Sequence, residues 1–237
     1  MFKLILGVTF LALTCFMGEQ QQAKFDVIIR HGTVYDGTGG EPFIADIAIQ
    51  GDTIAAIGDL SKATAETIID ATGLAVCPGF INMNSMSDRS LQMDGRSMSD
   101  IKQGVTLEVM GEGWSVAPVK RNPNPPVDSL WTSLDGYFKW LMKKGVSTNV
   151  ASFVGATSVR NYELGYANRA PTAAELTRMK ELVKQCMQHG AMGISSSLIY
   201  APADYASTEE LIELAKVSSA HDGIYITHMR SESDHIL

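Results

Sequence analysis

Histidine and cysteine are scarce in this sequence, with five and three in 237 residues. Cys15, Cys77 and Cys186 show neither paired short spacing nor a cluster with histidine, which disfavours a disulfide framework and a structural zinc site. Cys77 and Cys186 read as small, buried apolar side chains. Positive charge is also short: 19 Lys and Arg against 26 Asp and Glu leave a formal charge of -7, so nothing resembles a basic footprint for nucleic acid. Internal repeats and low-complexity tracts are lacking, and no apolar run is long enough to span a bilayer comfortably. What remains, 45% hydrophobic and 19% charged residues, is an ordinary globular composition with room for one large core or two small ones.

The chain begins Met1-Phe2-Lys3, a short positive head, followed by an apolar run from Leu4 to Met17 and a polar spacer from Gly18. This is the pattern of a secretory signal peptide, so residues 1–23 are set aside and export to the periplasm or the extracellular space is expected. Ala12-Leu13-Thr14 ahead of Cys15 loosely resembles a lipoprotein cleavage box without its usual leucine, which leaves a lipid anchor at Cys15 open.

Residues 24–77 read as a small β domain. Phe25-Asp-Val-Ile-Ile-Arg-His-Gly is β-branched and then stops at glycine. Thr33-Val-Tyr-Asp-Gly-Thr-Gly-Gly supplies turns, and Ala45 to Gln50 alternates at period two, implying one buried face. From Pro78-Gly79 to the end the rhythm changes to strand, helix, strand. Gly104 to Gly111 and Ser147 to Val154 read as strands, as do Ala191–Ser195 and Ile224–His228. Leu134, Tyr137, Phe138 and Leu141 mark one helix face, ending at Gly145. Thr172 with Glu175 and Ser207 with Glu210 read as two capping boxes, and Leu176, Met179, Leu182, Val183, Cys186 and Met187 form the apolar stripe behind the first. Asn122-Pro-Asn-Pro-Pro126 reads as a rigid loop. The spacing predicts an α/β fold with parallel strands and crossover helices.

Several stretches in order carry a family resemblance: Phe25 to Gly39, Gly51 to Gly58, Pro78-Gly-Phe-Ile, Gly104-Val-Thr-Leu-Glu-Val-Met-Gly-Glu-Gly, and Ser207 through Thr227-His-Met-Arg-Ser-Glu232. Together they resemble the N-acyl-D-amino-acid deacylase (D-aminoacylase) branch of the amidohydrolase superfamily. The resemblance implies a TIM-type (β/α) barrel over 78–237, preceded by an incomplete β-sandwich over 24–77, with chemistry at the C-terminal ends of the strands. It also implies a hydrolase that deacylates N-acyl (D-)amino acids, small-molecule substrates, through a zinc-activated water.

Carried over residue by residue, the resemblance makes His228 a metal ligand and puts Glu112 where better-known deacylases have a cysteine ligand. One zinc is expected. The first barrel strand departs from the family: Asn84 and Met86 stand where the pattern has His-x-His, and neither is a good zinc donor. Asn84, Arg160 (on a strand-end loop) and Tyr200 are the candidate substrate-binding residues, with Ser195 to Ser197 facing the acyl group. The third ligand and the proton-shuttling carboxylate are expected from later strands, beyond His235-Ile-Leu237, so this N-terminal piece is expected to be inactive alone. Two other readings stay open: a non-catalytic barrel that binds or scaffolds, motivated by Asn84 and Met86, and another amidohydrolase reaction on a cyclic amide.

Overall fold

The computed structural model describes residues 24–120 and 131–233. The signal-peptide reading of 1–23 with Cys15, the Asn122–Pro126 loop and His235 lie outside them. The chain divides after Pro78 into two compact units.

The first unit is a five-stranded mixed sheet in the order β3 (Thr53–Gly58), β2 (Phe43–Gln50), β1 (Lys24–Val34), β4 (Thr64–Asp70), with β5 (Ala75–Val76) also pairing with β1. β1 does not stop at its glycine as expected. It runs on through a bulge, where the register against β2 shifts between Ile29 and Gly32 and His31 takes φ 60°. The freed His31 amide donates to Asp46 Oδ1 at 2.9 Å, and Asp46 Oδ2 also accepts from Leu60 N at 3.3 Å. A buried carboxylate therefore satisfies the backbone that the bulge strips of its ladder partner. Asp46, Ile47 and Ala48 are buried in succession, so β2 is covered on both faces at its centre, and a single buried face does not describe it. Cys77, just past β5, is exposed rather than buried.

The second unit holds the strands β6 (Phe80–Ser85), β7 (Val105–Met110), β8 (Asn149–Ser152), β9 (Val154–Gly155), β10 (Gly193–Ser197) and β11 (Ile224–His228). Every pairing is parallel and joins neighbours in sequence: β6-β7-β8, then β9-β10-β11. β8 and β9 are one expected strand broken at Phe153, whose amide donates to Met110 O at 2.9 Å. The chain pairs with β7 before that residue and with β10 after it. Among the described residues, six α-helices lie in the crossovers: α1 (Asp88–Met93), α2 (Met98–Ile101), α3 (Leu134–Lys144), α4 (Ala156–Leu164), α5 (Ala173–Gln188) and α6 (Thr208–Ser219). Parallel strands in sequence order with helical crossovers make the first part of a (β/α) barrel.

The apolar stripe of α5 does what its spacing predicts. Met179, Val183, Cys186 and Met187 are buried against Ile194 of β10 and Leu214 of α6. Each fully buried aliphatic side chain contributes about 1.5–3 kcal/mol relative to exposure. A second cluster joins Leu91, Met110, Tyr137 and Leu141 beneath α3. α3 ends at Gly145, whose φ of 80° favours glycine. No helix among the described residues is long and apolar enough to cross a membrane.

Candidate metal centre

Glu112 lies two residues beyond β7, in a loop that glycine makes possible. Gly111 (φ 92°) and Gly113 (φ 68°) flank it in the left-handed region, and a side chain on either would run into Phe153 or Ser197 respectively. Ser195 of β10 pins both flanking peptides, because its hydroxyl donates to Gly111 O and accepts from Gly113 N at 3.0 Å. That contact explains why Ser195 is fully buried. It lies within the strand, as Ser196 and Ser197 do. The hydroxyl of Ser196 is likewise engaged, at 2.6 Å from both Tyr225 and Thr227.

His228 is the last residue of β11, and its carbonyl accepts from Leu198 N at 2.9 Å. Its imidazole and the Glu112 carboxylate, reached from strands far apart in sequence, face each other with Nδ1 3.8 Å from Oε1. Both side chains are largely sheltered, at 29% and 22% exposure. The gap is too long for a hydrogen bond. Two ligands each about 2.1 Å from one tetrahedral zinc stand about 3.4 Å apart, so one nitrogen and one carboxylate oxygen at this spacing suit a shared cation. Among the described residues, no group of three His, Cys, Asp or Glu side chains is gathered to hold an ion. Tyr200 lies beside the pair, its ring centroid 5.9 Å from that of His228. On the other flank of His228, Nε2 is 3.1 Å from Glu232 Oε1.

Two expectations change. Arg160 is not on a strand-end loop but on α4, 1% exposed and paired with Glu210 Oε2 of α6 at 2.5 Å. Its Nη2 also donates to the carbonyls of Ala167 (3.1 Å) and Arg169 (2.7 Å), so the guanidinium holds the fold and is not free for a substrate carboxylate. The same contact alters the second capping box. Ser207 Oγ accepts from Glu210 N at 3.2 Å, but the Glu210 carboxylate turns to Arg160 instead of back to Ser207. Asn84 and Met86, at the end of β6, are both exposed, and no hydrogen bond joins Asn84 to the Glu112–His228 pair.

One carboxylate went unread in the sequence. Glu108 of β7 is fully buried and accepts from Ser85 at 2.7 Å, Ser97 at 2.8 Å and Thr148 at 2.9 Å. Burial pushes its pKa up, but the hydroxyls of Ser87, Ser85, Ser97 and Thr148 outweigh it and hold the carboxyl below its ordinary range. Through Ser85, this buried anion fixes the end of β6 that carries Asn84.

No family model matches the chain. Among curated relatives, a D-aminoacylase of Alcaligenes xylosoxydans xylosoxydans is 39% identical over 230 residues, covering 93% of this chain and 48% of that protein. A solved structure of N-acyl-D-glutamate deacylase from Bordetella bronchiseptica, complexed with zinc and a phosphonate mimic of the tetrahedral intermediate, matches with a TM-score of 0.84 at 32% identity. It covers 90% of this chain and 47% of that one. A D-aminoacylase structure described by its binuclear metal centre, with one-metal activation and second-metal attenuation, matches with a TM-score of 0.82 at 38% identity, again over 90% and 47%. The chain thus spans about half the length of the relatives it matches. Over that span, its sequence and its strand order place it in the N-acyl-D-amino-acid deacylase family of the amidohydrolase superfamily, to which the chain belongs.

Proposed function

We propose that the whole protein is a zinc-dependent hydrolase that removes the acyl group from N-acyl D-amino acids, with one zinc held by Glu112, His228 and a third donor outside the described residues. The observation that carries this reading is the approach of the Glu112 carboxylate to the His228 imidazole at the C-terminal edge of the barrel strands. A zinc ion there supplies Lewis acidity and a water of pKa about 7, which is the chemistry an unactivated amide requires. The chain's own residues prepare the site. Gly111, Gly113 and Ser195 fix the turn that carries Glu112, β11 fixes His228, and the half-exposed ring of Tyr200 beside His228 is offered to the substrate. Asn84 contributes a neutral amide at the neighbouring strand end. Incubating the whole protein with N-acetyl-D- and N-acetyl-L-amino acids, and separately with a cyclic amide, tests the reading: release of acetate from the D series supports it, and release only from the L series, or ring opening of the cyclic amide alone, sinks it.

A second reading has one observation in its favour. Asn84 and Met86 replace the expected histidine pair, and Met86 is 77% exposed, which suits a barrel that binds without catalysis. A folded, zinc-free, inactive whole protein would favour that reading. We further propose export, on the strength of the Met1–Lys3 head and the Leu4–Met17 apolar run.

A further inference from the structure

We infer that Glu232 is a positioning residue for His228, accepting a hydrogen bond from Nε2–H and so reserving Nδ1 for the metal. The inference rests on the zinc reading of Glu112 and His228 and adds a residue and a tautomer to it.

The two ring nitrogens of His228 face different carboxylates. Nδ1 lies 3.8 Å from Glu112 Oε1, and Nε2 lies 3.1 Å from Glu232 Oε1. Only the second distance is within hydrogen-bond reach. A neutral imidazole has one N–H and one lone pair, so a proton fixed on Nε2 puts the lone pair on Nδ1, on the Glu112 side. A carboxylate partner also makes the ring a stronger donor to a metal.

Glu232 is held where it can do this. It follows β11 in a loop that Arg230 fastens to the turn after β10, its Nη2 donating to Ala206 O at 2.6 Å and its Nη1 to Asp204 O at 3.3 Å. Ser231 and Ser233 close the loop on itself, with Ser233 N donating to Ser231 Oγ at 3.3 Å. The ring is therefore approached on one flank by Tyr200 and at its two nitrogens by Glu112 and Glu232.

The test compares the zinc affinity of the whole protein, by competition with a chromophoric chelator, for the parent, Glu232→Ala, Glu232→Gln and His228→Ala. Glu232→Ala is expected to weaken zinc binding roughly 10–100-fold, the usual effect of losing such a partner. Glu232→Gln keeps an acceptor oxygen for Nε2–H and is expected to restore most of that loss. Equal affinity of Glu232→Ala and parent overturns the inference. So does a Gln variant as weak as Ala, since that result makes Glu232 a ligand or a charge rather than a hydrogen-bond acceptor. If His228→Ala binds zinc like the parent, the metal assignment itself fails, and the inference falls with it for that separate reason.

Discussion

Arg160 and Glu210, 50 residues apart, are joined at 2.5 Å in a buried ion pair that ties α4 to α6. Breaking a buried pair leaves one charge unpaired and costs about 3–5 kcal/mol. Arg160→Ala is therefore expected to lower stability by about that amount, read from the urea midpoint. Replacing both members with apolar residues of similar volume, Arg160→Met with Glu210→Leu, is expected to recover most of it. A single variant as stable as the parent would show that the pair does not hold the helices.

Glu108 predicts an acid-sensitive step. Its folded pKa is held below the unfolded value by hydroxyl donors, so its contribution is present above the unfolded pKa, near the ordinary 4.5, and is lost as pH falls through the folded pKa. Glu108→Gln is expected to cost about 1.5–3 kcal/mol at neutral pH, as for a hydrogen bond to a charged group. It should also flatten the fall in stability below about pH 4.5. Thermal melts from pH 3 to pH 7 measure both effects, and an unchanged acid limb in the variant would assign that limb to other carboxylates.

Much of this fold is legible in the sequence because local rules and tertiary structure agree. The Thr172–Glu175 capping box forms in full and heads a helix with the predicted buried stripe. Gly145 marks the end of α3 where expected. The misreadings arise where a long-range partner overrides the local pattern. Glu210 fits a capping box until Arg160 is known to be within reach, and His31-Gly32 looks like a strand end until Asp46 supplies the lost hydrogen bond. The same limit applies to the site. Glu112 and His228 are visible as motif residues, whereas Ser195 and Glu108 matter through contacts that no local spacing encodes.

The identity of residue 112 predicts a graded response to substitution. A thiolate is a strong zinc donor, so Glu112→Cys is expected to retain zinc, while Glu112→Ala loses most of it. Metal analysis of the dialysed whole protein distinguishes them. Zinc retained by Glu112→Ala at the parent level would remove Glu112 from the ligand set.

The altered first strand predicts a gain. Imidazoles at positions 84 and 86 offer the nitrogen donors that an amide and a thioether do not. The double variant Asn84→His, Met86→His is expected to bind more zinc per chain than the parent. Unchanged stoichiometry would mean that the end of β6 does not face the metal.

The most direct test is the zinc content of the whole protein, measured beside His228→Ala with circular dichroism to verify folding. About one zinc per chain in the parent, lost in a folded His228→Ala variant together with deacylase activity, is the expected result. A folded parent without zinc, or a variant that keeps both zinc and activity, would contradict the assignment of His228 and Glu112 as the metal site.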